Sequence, residues 1–200
     1  RGLCVIEIEH FQQALIEELN QLSGLTDKAQ IAGSTMADKL LKAELVVNKY
    51  ISSPATSSLE VLGQLNDCAD SFCELSHSRQ TLARFILQMS HQLDWYQKVV
   101  EDNVSFMRGH ANAQLIGPKG LFFNSELMIG VSLMAPHLTY PDHNHPPEEI
   151  YIVLSEGQWW QQGEHWFSPG VQGYVYNPEN IVHAMASKEK PLLAIWCLNL

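Results

Sequence analysis

Tyr140-Pro141-Asp142-His143-Asn144-His145-Pro146-Pro147-Glu148-Glu149-Ile150-Tyr151 is the stretch that decides how this chain is read. His143 and His145 stand two apart, so an extended backbone puts both imidazoles on one face. Glu149 follows beyond a Pro-Pro pair that can turn the chain back. Two imidazoles and a carboxylate make a three-ligand metal set. A fourth ligand has to come from elsewhere in the fold. His183, in Asn177-Pro178-Glu179-Asn180-Ile181-Val182-His183, is the natural candidate. One divalent ion is expected. Zinc is the first expectation, and Fe²⁺, Mn²⁺ and Ni²⁺ suit the same donors.

Around this stretch the sequence has a strand period. Leu127-Met128-Ile129, Val131-Ser132-Leu133-Met134 and Ile150-Tyr151-Ile152-Val153-Leu154 are apolar β runs. Gln158-Trp159-Trp160 and His165-Trp166-Phe167 flank the turn signal Gln162-Gly163-Glu164. Gly173-Tyr174-Val175-Tyr176 alternates, and Leu192-Leu193-Ala194-Ile195-Trp196 closes the set. Short strands separated by Gly and Pro turns predict a sandwich or barrel.

Before about residue 105 the period changes to that of a helix. Four apolar stripes recur at spacings of three and four. They are Ile8-Phe11-Leu15-Leu19-Leu22, Met36-Leu40-Ala43-Val47-Tyr50, Leu59-Leu62-Leu65-Ala69-Phe72 and Leu82-Phe85-Met89-Leu93-Tyr96-Val100. Ser23-Gly24 and Ser52-Ser53-Pro54 end the first two. Asp27 with Gln30 and Ser57 with Glu60 have capping spacing. The boundary near Ser76 carries a weaker signal. The expected class is therefore α+β. Residues 1–110 form a helical cover or lid, and residues 111–200 a metal-binding β-barrel.

The chain has 200 residues, 12 Lys+Arg against 22 Asp+Glu, and a formal net charge of −10. That balance argues against nucleic acid and anionic membranes as partners, since phosphate contacts need clustered cations. The hydrophobic share of 46% supports a core, and 17% charged residues is too few for a disordered chain. No apolar run approaches the ~18–20 residues of a membrane span. Cys4, Cys68, Cys73 and Cys197 form no C-x-x-C pair, which counts against a cysteine zinc site. The chain opens on Arg1 and reads as trimmed. The expected compartment is the cytoplasm, with the periplasm as the alternative.

His143, His145, Glu149, Gly157, Pro169-Gly170 and the distal His183 together resemble the paired motifs of the cupin superfamily, small jelly-roll β-barrels that hold one divalent metal. The resemblance covers roughly residues 120–200. His137 stands where those motifs often have glycine. Tyr140-Pro141 before the histidines, Tyr151 after Glu149, and Asn177-Pro178 leading to His183-Ala184-Met185 are more narrowly similar to the cupin-type dimethylsulfoniopropionate (DMSP) lyases.

That resemblance implies β-elimination of DMSP to dimethyl sulfide and acrylate. It implies His143, His145, Glu149 and His183 as metal ligands, Tyr151 as catalytic base and Tyr140 as its assistant. The implied substrate is a small cationic sulfonium carboxylate. Trp159, Trp160, Trp166, Tyr174 and Tyr176 are the aromatic candidates to face its sulfonium by cation–π attraction. A homodimer is a further expectation. The same ligands would also serve a cupin dioxygenase, an isomerase or a non-catalytic sensor. No basic helix-turn-helix accompanies them, which weakens a regulator reading.

Overall fold

The computed structural model describes residues 5–22, 24–48, 59–100 and 102–200. Helices α1 (Val5–Asn20) and α2 (Asp27–Lys42) come first. α1 buries Phe11, Leu15 and Leu19, and α2 buries Met36 and Leu40, along the stripes the spacing predicts. The cap of α2 sits one residue earlier than expected. Thr26 has an extended backbone and its Oγ1 accepts from the Ala29 N–H at 3.3 Å, while Asp27 is already helical. Val47, expected on α2, lies beyond its end and bridges Phe122 instead. Tyr50, Ser52-Ser53-Pro54 and Ser57 lie outside the described residues.

The third expected helix is broken into a 3₁₀ turn (Glu60–Gln64), one α-helical turn, α3 (Leu65–Cys68), and another 3₁₀ turn (Ala69–Glu74). Gly63, Asn66 and Asp67 are weak helix formers, and they fall within it. α4 (His77–Met89) starts at Ser76, whose Oγ accepts from the Arg79 N–H at 3.3 Å. The fourth stripe was expected to continue to Val100, but α4 gives way at Met89 to a 3₁₀ turn, Ser90–Gln92. Residues 94–100 are not helical, and Tyr96 exchanges two backbone hydrogen bonds of 2.8 Å with Asn112. A short α5 (Val104–Gly109), capped by Asn103, leads into the sheets.

Nine strands follow: β1 (His110–Gly117), β2 (Phe122–Phe123), β3 (Leu127–Met134), β4 (Thr139–His143), β5 (Glu149–Val153), β6 (Gln158–Gln161), β7 (Tyr174–Asn177), β8 (His183–Ala186) and β9 (Leu192–Asn199). They make a six-stranded sheet, β2-β1-β3-β9-β5-β7, and a three-stranded sheet, β4-β8-β6. The α+β class stands, but the two sheets do not close into one hydrogen-bonded barrel. The run His165-Trp166-Phe167 contributes only a bridge from Phe167 to Trp159. At His137 the backbone takes φ +57, the left-handed region that favours glycine, and its N–H reaches the Lys188 carbonyl at 2.8 Å. Among the described residues no helix is long and apolar enough to cross a membrane.

The six-stranded sheet is covered on both faces. Ala111, Ala113, Val131, Leu133, Ile150, Ile152, Leu193 and Ile195 share one hydrophobic cluster with α1, α2 and α4. The alternate residues Met134, Tyr151, Val153, Leu192, Ala194 and Trp196 share a second cluster with Tyr140, Trp159 and Met185 of the three-stranded sheet. Burial on both sides is why β5 and β9 read as continuous apolar runs.

One polar joint crosses the helix–sheet boundary. Arg79 on α4 and Glu18 on α1 are each only 1% exposed, and Nε meets Oε2 at 2.7 Å. Arg79 Nη1 also donates to the carbonyls of Val153, Val171 and Gly173 at 2.7, 3.1 and 3.0 Å. Glu18 accepts from the hydroxyls of Ser76, Ser78 and Tyr174 at 3.2, 2.5 and 2.8 Å. Replacing Arg79 by Leu strands a buried carboxylate, and the expected cost is about 3–5 kcal/mol in urea unfolding. A loss below about 1 kcal/mol, the scale of an exposed ion pair, would show that this joint does not hold the layers.

Candidate functional site

β4 and β8 run antiparallel with His143 directly opposite His183, ring centroids 4.2 Å apart. His145 lies two residues past the end of β4. Its carbonyl accepts from the Asn180 N–H at 3.0 Å, and Asn180 itself turns through φ +60. Glu149 opens β5 in the other sheet. Imidazole nitrogens of His143, His145 and His183 lie within 4.8 Å of one another.

Each imidazole is oriented in the same way. Nδ1 of His143 faces the Pro141 carbonyl at 2.9 Å, that of His145 the Pro147 carbonyl at 2.8 Å, and that of His183 the Ile181 carbonyl at 2.9 Å. A carbonyl only accepts, so Nδ1 carries the proton and Nε2 presents a lone pair. Glu149 Oε2 stands 3.2 Å from His183 Nε2 and 3.5 Å from His145 Nε2. Asn177 Nδ2 donates to the same oxygen at 2.7 Å, and Gln161 holds the Asn177 carbonyl oxygen at 2.7 Å.

His183 Nε2 is buried with no hydrogen-bond partner. A lone pair facing a carboxylate is an unsatisfied arrangement of two acceptors, and a cation between them satisfies both. This donor set therefore fits a divalent metal. With a proton rather than a cation shared among these groups, burial would raise the Glu149 carboxyl, but hydrogen bonds from His145 and His183 outweigh that and hold it at about 2. Burial, then the neighbouring His183, lowers His143 to about 4. At His145 burial is outweighed by Glu149, which raises it, so protons and a cation compete for that ring.

His143, His145 and Glu149 open onto a cavity of about 440 Å³ between the sheets, with His183 buried behind them. Tyr140 from β4 and Tyr151 from β5 line it, 7% and 3% exposed. The Tyr140 hydroxyl accepts from Asn112 Nδ2 at 3.4 Å, and Asn112 Oδ1 accepts from Ser132 Oγ at 2.6 Å. Burial pushes Tyr140 up to about 12, against the Asn112 hydrogen bond. Burial, then the Glu149 charge, raises Tyr151 well above the usual phenol range.

None of the five expected sulfonium-facing aromatics lines this cavity. Trp159 is 1% exposed and packs in the inter-sheet core, its ring 5.9 Å from that of Tyr151. Trp160 is its neighbour on β6 and so points to the opposite face. Trp166 is 43% exposed. Tyr174 and Tyr176 flank Val175 on β7, and strand parity turns both toward the helix side. Tyr174 donates to Glu18 under the Arg79 guanidinium, and Tyr176 donates to Glu148 at 2.8 Å.

Instead the walls include Tyr96, Gln97, Lys98, Asn112, Ser132 and Trp196. Trp196 lies across Gly130, where an added Cβ would fall 2.1 Å from the indole ring. The helical period hid Tyr96 and Lys98. The alternation Ala111-Asn112-Ala113-Gln114-Leu115 is a strand signal that could have placed Asn112. Outside the cavity, His137 is exposed beside Glu189 at 3.3 Å, and His165 is exposed.

A family model for dimethylsulfoniopropionate lyase matches residues 35–194. The curated DMSP lyase DddQ of Ruegeria pomeroyi is 34% identical over 91 residues, which are 45% of this chain and 45% of that protein. The matched stretches span about half the length of the curated relatives. Among solved structures, one described as DMSP lyases RdDddP and RnDddQII superposes with a TM-score of 0.71 at 18% identity, covering 98% of this chain and 93% of its own. DddQ from Ruegeria pomeroyi DSS-3 superposes with a TM-score of 0.63 at 21% identity, covering 96% and 92%. At these identities the superpositions establish a shared fold.

The donor set makes a direct expectation. The purified chain should retain about one divalent ion, and His145→Ala and His183→Ala should each sharply lower that content. Full occupancy of both variants by elemental analysis would exclude this ligand set.

Proposed function

Because this chain belongs to the dimethylsulfoniopropionate lyase family, we propose that it cleaves DMSP to dimethyl sulfide and acrylate by β-elimination. The cavity between the sheets is the reaction site, and His143, His145, Glu149 and His183 hold one divalent metal. The observation that carries this reading is the convergence of three Nε2 lone pairs and one carboxylate beside two buried phenols. A metal held by that set would supply Lewis-acid charge, favouring phenolate nearby and negative charge developing on the substrate.

Tyr151 takes the proton from the carbon α to the substrate carboxylate. The C–S electron pair then leaves with sulfur as neutral dimethyl sulfide, and the carbon–carbon double bond of acrylate forms. Tyr151 shares its sheet face with Glu149, two residues away, so its oxygen and the ligand carboxylate enter the same space. Tyr140 stands on the opposing sheet. The Asn112 amide donates to its oxygen, and a donor there favours the ionised phenol, so Tyr140 assists or shares the proton. Asn112 is fixed in turn by Ser132, which engages its carbonyl oxygen and so orients its amino group.

Headspace dimethyl sulfide after mixing protein and DMSP tests the activity, and none from metal-replete protein would refute it. Tyr151→Phe deletes only a hydroxyl. It should keep fold and metal while losing about 10²–10⁴-fold in turnover, as expected for a general base. Tyr140→Phe should lose less. Near-parental turnover by Tyr151→Phe at full metal content would make Tyr151 a packing residue.

A further inference from the structure

The cavity has two formally charged side chains in its lining, Glu149 and Lys98. Glu149 accepts from Asn177 and belongs to the ligand cluster with His145 and His183. Lys98 is not engaged in that way. Its ammonium lies 5.3 Å above the Tyr140 ring and makes no hydrogen bond or ion pair to any carboxylate among the described residues. The side chain is half-buried, and burial lowers its pKa. A cation taken partly out of water without an anion is an incomplete pair.

The backbone that carries it is fixed. The Lys98 N–H donates to His110 Nε2 at 2.7 Å, and Gln97 Nε2 donates to the His110 carbonyl at 3.2 Å. His110 is fully buried, stacks on Phe106 at 3.8 Å and directs Nδ1 to the Phe106 carbonyl at 2.5 Å. Two residues earlier, Tyr96 is pinned to β1 through Asn112. The segment 96–98 is thus held to β1 up to the Lys98 backbone, and the Lys98 stem lines the cavity from that anchored position.

We propose that Lys98 is an anion-binding subsite that receives the carboxylate of a small monocarboxylate substrate, beside the His143–His145–Glu149–His183 cluster. The identity of that carboxylate as DMSP rests on the lyase reading, but the subsite itself does not. A carboxylate at Lys98 gains a charge-assisted hydrogen bond and supplies the missing counter-charge. The sulfonium of the same molecule, two methylenes away, then lies toward the aromatic rings of Tyr96 and Trp196, which also line the cavity.

The test is calorimetric titration of acrylate, and separately of its neutral methyl ester, into metal-replete protein. In Lys98→Met, acrylate affinity should fall about 10- to 100-fold with metal content unchanged, the loss expected for a hydrogen bond to a charged group. Ester binding should stay within about threefold, and Lys98→Arg should restore acrylate binding to within about tenfold, because it keeps the charge. Equal acrylate affinity in wild type and Lys98→Met would overturn the subsite. So would an equal loss of ester binding, or no acrylate binding by wild type at millimolar concentration. Lys98-dependent acrylate binding without release of dimethyl sulfide from DMSP would sustain the subsite and remove the lyase reading. Release of dimethyl sulfide with Lys98-independent acrylate binding would do the reverse.

Discussion

Each strand of the six-stranded sheet has to serve two interiors at once. Strand parity sends Ile150 and Ile152 into the helical core, and Glu149, Tyr151 and Val153 toward the opposing sheet. β9 divides likewise, with Leu193, Ile195 and Cys197 on one side and Ala194, Trp196 and Leu198 on the other. A slip of one residue in either strand would exchange the cavity lining with the hydrophobic core. The helices therefore help set the register of the site, and among the described residues none of them carries one of the candidate ligands. They bury the face whose alternation fixes where Glu149 and Tyr151 point.

The polar joint between layers follows from the same arrangement. A sheet covered on both faces leaves the carbonyls at its β5–β7 edge away from water, and Arg79 answers three of them. Its own charge then needs Glu18, which needs the surrounding hydroxyls. One buried guanidinium thus accounts for the environments of Ser76, Ser78 and Tyr174. Tyr174 is an aromatic of the helix–sheet seam, and its cation is an arginine of the same chain.

What the sequence made legible was what depends on short-range spacing. His143 and His145 sit two apart, and Tyr151 and Glu149 share a face because strand geometry has a fixed period. The stripes of α1, α2 and α4 were legible for the same reason. The weaker readings came where long-range pairing decides. Leu93 and Tyr96 continue a helical spacing from α4, yet the backbone of Tyr96 pairs with Asn112 and leaves the helix. The Trp-rich β6 was informative about strand but not about face, since only the partner sheet settles which of Trp159 and Trp160 is buried. Lys98 carried no local signal at all, because its meaning comes from His110 twelve residues later in the chain.

Gly130 and Trp196 pair across β3 and β9, and the indole occupies the volume that any side chain at 130 would need. The wall of the cavity is therefore set partly by an atom that is missing. A single methyl group at that position would meet both the indole and the Ala113 carbonyl oxygen, 2.4 Å away, so the ring or the β1–β3 backbone would have to shift and the cavity wall with it. Size selectivity in this fold can drift through backbone-lining positions while the chemical groups stay untouched. Relatives that share the histidines need not share the same molecular appetite.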